Sequence, residues 1–237
     1  GNMEVDVAIV DDGPMFQAVA LGLCSELKGV NFAELYPVAD MKTGKSVTIG
    51  VVATGLMYNT KYFADNKMPA PTSWNDLKDP KYRKKLVIPP MNNTYGLQTV
   101  IMMARLHGGG EKNIDPGFKV MRESVAPNVL TFEAQPGKMT ELFQSGQAIF
   151  AVWGSGRVKA FQDTGFPAEF VYPKEGAMAL GISICPTAKP NPSPLAQQFI
   201  DFMLQPDTQV VFAKGSGAGP VHRKTQLPPE LQKGLPY

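Results

Sequence analysis

The chain has 237 residues, 43% of them apolar and 19% charged, with a formal net charge of +2. That length is enough for one large or two small buried cores. The balanced charge excludes the basic footprint of a nucleic-acid binder, and no apolar run reaches the ~18 residues of a membrane span.

Strand and helix signals alternate along the chain. No signal peptide precedes the first strand, and Gly1-Asn2 reads as a cut point. Val5 to Val10 is a short apolar run closed by Asp11-Asp12-Gly13-Pro14, where Pro14 suits a first helical turn. Phe16, Val19, Ala20 and Leu23 follow at helical spacing. Val47 to Ala53 is β-branched and predicts a strand. Ser73 can cap a short helix through Leu77, and Leu86-Val87-Ile88 is a brief strand closed by Pro89-Pro90. Leu97, Val100, Ile101 and Ala104 predict one apolar helix face, stopped by Gly108-Gly109-Gly110.

The second half repeats the pattern. Met139, Leu142 and Phe143 predict a helix, Ala148 to Val152 a strand, Ser155 a helix start and Ala168 to Tyr172 a strand. Ala177 to Cys185 reads as extended, and Leu195, Phe199, Phe202 and Met203 as an amphipathic helix broken by Pro206. A last helix is predicted from about Asp207 to Lys214. The alternation predicts an α/β protein with mostly parallel sheets.

Several patterns suggest chemistry and fail on context. Thr43-Gly44-Lys45-Ser46 resembles the end of a phosphate-binding loop, but Ala39 stands where that loop needs glycine, and a strand follows instead of a helix. Gly215 to Pro220 is glycine-rich but follows a helix, so it lacks the dinucleotide context. His107 and His222 have no ligand partners at zinc spacing. No metal, cofactor or catalytic residue is expected. Cys24 and Cys185 stand in apolar contexts and read as buried free thiols, a disulfide being the alternative in an oxidising compartment.

Six blocks, in order, carry a resemblance. They are Asp6 to Pro14, Ala53 to Asn59, Pro71 to Pro80, Phe143 to Ala148 leading into Val152-Trp153-Gly154, Phe170 to Ala177, and Ala196 to Leu204. Together the chain resembles the spermidine/putrescine-type solute-binding proteins of bacterial ABC importers. The resemblance implies a two-lobed periplasmic-binding-protein (Venus-flytrap) α/β fold. Lobe one would be 1–56 plus 179–237 and lobe two 57–178, with crossings near Thr54–Asn59 and Ala177–Cys185. It also implies that a strand–helix–strand normally ahead of Asp6 is missing, leaving lobe one incomplete. The implied protein is extracytoplasmic, periplasmic or lipid-anchored. It is otherwise a monomer, with association through the truncated lobe as the exception. Its partners would be a small solute and an ABC permease, with no nucleic acid.

In such a fold the ligand binds where strand ends and helix N-termini meet. Asp11 and Asp12 end the first strand, with helix capping as their alternative role. Thr54 stands at the first crossing. Asn92, Asn93, Thr94 and Tyr95 form a polar loop that either contacts ligand or caps a helix. Trp153 closes an apolar strand and is read as an aromatic platform for an amine. Ser155 opens a helix whose free amides suit an anion, and Arg157 can add a bidentate contact to a carboxylate. Glu175 is the acidic candidate for an ammonium group.

One departure bears on the ligand. The polyamine binders carry a Trp-x-Asp after the Glu-Gly-Ala, and here the stretch is Met178-Ala179-Leu180-Gly181-Ile182. An acidic loop residue of that family is also replaced by the amides Asn92 and Asn93. The expectation is therefore a small amine-containing solute, polyamine-like or amino-acid-derived, with an amine that bears an acid group preferred over a long polycation. The alternative is the effector domain of a LysR-type regulator, which would need a helix-turn-helix upstream.

Overall fold

The computed structural model describes residues 4–232 and 235–236. The cut-point reading of Gly1-Asn2 lies outside them. In chain order the elements are β1 (Val7–Asp11), α1 (Asp12–Ala20), β2 (Val47–Asn59), α2 (Thr60–Asp65), β3 (Leu86–Ile88), α3 (Thr94–Leu106), α4 (Asp115–Val120), β4 (Val129–Phe132), α5 (Pro136–Gln144), β5 (Phe150–Gly154), α6 (Ser155–Asp163), β6 (Ala168–Val171), β7 (Met178–Pro186), α7 (Pro194–Met203), α8 (Pro206–Ser216) and α9 (Pro229–Gln232). Two compact units result, one of Gly1–Val52 with Ala179–Tyr237 and one of Ala53–Met178. The chain passes between them within β2 and again at the start of β7.

In the first unit β1 pairs antiparallel with β7, Asp11 opposite Ile182. Val47, Ile49, Ile184, Ile200 and Val221 form its main core. Each such side chain, fully withdrawn from water, contributes ~1.5–3 kcal/mol. A smaller cluster joins Met15, Met41, Cys24 and Cys185. The cysteines are not free thiols. They form a disulfide with Cα atoms 5.8 Å apart, because the segment after α1 lies antiparallel beside the end of β7. That proximity comes from the fold across 161 residues of sequence, so local context gave no sign of it.

Helix faces differ from those the spacing predicts. In α1 Met15 is the buried residue, while Phe16 is 51% exposed, and Leu23 lies beyond the helix end. In α7 the buried set is Ala196, Ile200 and Met203, one position on from the exposed Leu195, Phe199 and Phe202. In both helices apolar residues stand at adjacent positions, so spacing alone allows two stripes and the packing beneath decides which one is covered.

In the second unit β5 separates two cores. Phe150 and Val152 pack with Met102 and Met103 of α3. Ala151 and Trp153 pack with α5 and α6 through Met139, Phe143, Val158 and Phe161. Alternate side chains of a strand point to opposite faces, which explains the split. β3 runs parallel to β4 and β5, but β2 meets both β5 and β6 antiparallel. The expectation of mostly parallel sheets is corrected here. β2 enters this unit without a βαβ crossover, and only such crossovers impose parallel pairing. Ser73 begins a 3₁₀ turn, Trp74–Lys78, with a capping box closed by Asp76. Trp74 is fully buried, and its Nε1–H donates to the Gly176 carbonyl at 2.8 Å.

Candidate solute site

The polar candidates of the second unit gather where β2 and β5 meet the first turns of α3 and α6. Thr54 of β2 lies opposite Gly154 of β5. Thr54 is fully buried, and its hydroxyl donates to Gln98 Oε1 of α3. Next to it, the Ala53 N–H donates to Ser155 Oγ at 3.0 Å, which ties the start of α6 to β2.

The start of α3 is fixed by small residues and a cap. Asn93 Oδ1 accepts from the Tyr95 N–H at 3.0 Å, so the capping role is the one observed. A Cβ on Gly96 would lie 2.3 Å from the carbonyl oxygens of Pro89 and Pro90, so only glycine lets α3 approach β3 this closely. A Cβ on Gly154 would lie 2.3 Å from Tyr95 Oη. Tyr95 therefore lies over the β5–α6 junction, its ring 5.4 Å from that of Trp153. The α6 N-terminus begins at Gly154, and the Tyr95 side chain from the first turn of α3 reaches it. First-turn amides lack intrahelical partners and carry a partial positive charge. Thr94 opens α3 and is half-buried, and Asn92 is exposed just before it.

Three expected contacts take other positions. Trp153 is 3% exposed and belongs to the α5–α6 core, so it is no open platform. Its ring is turned inward because Val152 occupies the other face of β5. Glu175 accepts from the Ser73 hydroxyl and from the Trp74 N–H at 3.2 Å, so its carboxylate caps the 3₁₀ turn. Burial pushes that carboxyl up. The hydrogen bonds from Ser73 and from the backbone of Glu175 and Trp74, helped by Lys174, outweigh burial and hold it below the ordinary glutamate range. Asp12, in the first unit, accepts from Gly13 N at 2.8 Å and from Gly181 N at 3.0 Å, which makes it a tether between α1 and β7. Asp11 precedes α1 in that unit and does not cap it with its side chain.

Arg157, in the first turn of α6, is exposed, and among the described residues it has no hydrogen bond or ion pair. It lines a cavity of ≈140 Å³ with Trp153, Met139, Thr140 and Phe161. Gln98, Gly96 and Gly154 are the residues the sequence reading missed. Gln98 is 7% exposed on a helix whose predicted apolar face began at Leu97, which is in fact 47% exposed. A polar residue inside an apolar helical run was the available signal. Among the described residues no group of three or more His, Cys, Asp or Glu could hold a metal ion.

Residues 5–237 match the bacterial extracellular solute-binding protein family. The chain belongs to that family. A γ-aminobutyric acid-binding protein of Pseudomonas aeruginosa is 32% identical over 124 residues, covering 48% of this chain and 32% of that protein. A spermidine/putrescine-binding periplasmic protein of Salmonella typhimurium is 26% identical over 152 residues, covering 62% of this chain and 41% of that protein. The matched segments thus span less than half the length of either relative.

Solved family-like structures agree on the fold. An ABC transporter protein from Clostridium perfringens superposes with a TM-score of 0.80 at 22% identity, over 100% of this chain and 75% of that one. The periplasmic binding protein AfuA from Actinobacillus pleuropneumoniae, with fructose-6-phosphate bound, gives 0.79 at 21% identity, over 96% of this chain and 72% of that one. The family member described here has the α/β fold of periplasmic binding proteins. Its membership gives no support to the regulator alternative. No described helix is long and apolar enough to cross a membrane.

Proposed function

We propose that this family member captures a small organic solute bearing one amine and one acid group and delivers it to an ABC permease. The observation that carries the reading is the start of α6 at Gly154, opposite Thr54 and reached by the Tyr95 side chain of the first turn of α3, beside the Thr54–Gln98 pair. These groups are neutral donors with helix-end charge, and Arg157 adds a guanidinium on α6. Together they favour a carboxylate over an ammonium. The absence of a Trp-x-Asp at Met178–Ile182 argues against a long polyamine. The γ-aminobutyric acid-binding relative, whose named ligand carries one amine and one acid, supports the same class.

The work is done outside the cytoplasm, in the periplasm or on a lipid anchor, where the Cys24–Cys185 disulfide persists. Lobes of 1–56 with 179–237 and of 57–178 form the clamp. Exposed Val5, Ile9, Phe16 and Leu21 support association through the first unit. Titration calorimetry with 4-aminobutanoate, other amino acids, putrescine and spermidine is the test. The expected result is at least tenfold tighter binding of an amino acid than of spermidine. Submicromolar spermidine binding would overturn the reading.

A further inference from the structure

We infer that the first unit holds a second, separate site, for a small organic cation that carries both an ammonium group and a hydroxyl. The site is a cavity of ≈290 Å³ between the last turn of α7 and the turn Phe32–Glu34, with His222 in its wall. All of its lining residues belong to the first unit, and Thr54, Tyr95, Gln98 and Gly154 are not among them. A cavity of about 150 Å³ admits benzene, so this one takes roughly ten heavy atoms.

Three groups in the lining have hydrogen-bonding capacity that the described residues do not use. His222 is 7% exposed. Its Nδ1 accepts from the Lys224 N–H at 3.1 Å, so in the neutral ring Nε2 carries the proton. That N–H faces Glu34 Oε2 across 3.7 Å, too far for a hydrogen bond, and has no other acceptor among the described residues. A nearly buried donor without an acceptor is costly, and an oxygen placed in the cavity would satisfy it. Glu34 gives Oε1 to the Lys224 ammonium at 2.7 Å and leaves Oε2 open. Asp201 accepts from Gln197 Nε2 through Oδ1 at 2.9 Å and leaves Oδ2 open.

The charge of the wall selects a cation. No Lys or Arg lines the cavity. The last turn of α7 has no basic residue, and its end carries the partial negative charge of a helix C-terminus. Leu35 and Leu204 add apolar surface for the carbons of a ligand. An ammonium donates to the open carboxylate oxygens, while a hydroxyl oxygen accepts from His222 Nε2–H. One molecule bearing both meets all three groups. A carboxylate on the ligand would face Glu34 and Asp201, which sets this site apart from that of the amino-acid solute.

The test follows the imidazole NMR signals of the full chain, which has two histidines, His107 and His222. A His107→Gln variant assigns them. At millimolar concentration, 2-aminoethanol and glucosamine should shift the His222 signals and leave those of His107 in place. Ethylamine lacks the hydroxyl and should bind several-fold more weakly than 2-aminoethanol. Glu34→Gln and Asp201→Asn should each weaken 2-aminoethanol binding about tenfold, as expected for a lost hydrogen bond to a charged group. Both variants should leave 4-aminobutanoate binding unaltered, so the two sites stand or fall separately. His222 signals that neither hydroxylated amine moves overturn the inference. So does amine binding that neither carboxylate variant weakens, or equal binding of ethylamine and 2-aminoethanol.

Discussion

Cys24 and Cys185 are bonded across 161 residues, and the bond fastens the chain after α1 to the end of β7. The helix it secures buries only Met15, and its start is held by the Asp12 carboxylate on Gly181 N. With so little apolar burial, the crosslink is expected to matter. Replacing both cysteines by serine should lower the stability of the first unit by about 2–5 kcal/mol. The closed loop contains the whole second unit, so the effect falls toward the lower end if that unit stays folded when the first opens. Urea denaturation with and without a reductant measures it. An unchanged midpoint would show that α1 holds its place by packing alone.

Thr54 and Gln98 form a buried polar pair, and such pairs are costly to break from one side. Thr54→Val keeps the shape and removes the donor to Gln98. The expected loss is about 1–3 kcal/mol. Adding Gln98→Leu to Thr54→Val should recover part of it, since both polar partners are then gone. A double-mutant cycle in denaturant decides the point. Additive losses would mean that the two side chains do not depend on each other.

Gly96 and Gly154 set how closely α3 approaches β3 and β5. Gly96→Ala places a methyl against two backbone carbonyls that cannot rotate away. Gly154→Ala meets the hydroxyl end of Tyr95, which can move. The first should therefore cost more, on the order of 1–3 kcal/mol or above. The second should cost less stability but displace Tyr95 and weaken solute binding. Comparing melting midpoints and affinities of the two variants separates these outcomes.

Glu175 links the segment before β7 to the 3₁₀ turn at Trp74. Its folded pKa is depressed. A depressed carboxyl contributes stability that is present above the unfolded value of about 4.3 and lost as pH falls through the folded value. Glu175→Gln should thus shrink the acid-induced loss of stability below about pH 4 and leave the dependence near pH 7 unaltered. Chemical denaturation of both forms between pH 3 and 7 provides the comparison. Parallel acid limbs would remove Glu175 from the account.

Local signals in the sequence were enough for most of the elements, though α2, α4, β4 and α9 were not read from it. Proline and serine starts, glycine stops and β-branched runs act over a few residues, so strands such as Leu86–Ile88 and the cap at Ser73 were legible before any fold was known. The ordered blocks from Asp6 to Leu204 carried the broader solute-binding family, not its spermidine/putrescine branch. What the tertiary structure decided were relations between distant residues. Whether Trp153 faces solvent or core depends on which helices cover each side of β5, and α5 and α6 cover its side. Glu175 could not be seen as a cap, because its partners Ser73 and Trp74 lie about a hundred residues earlier. The same holds for Gln98 on Thr54 and for the bond between the two cysteines. Hydrophobic patterning says that a side chain is buried; only long-range packing says against what, and a polar or sulfur atom takes its role from that partner.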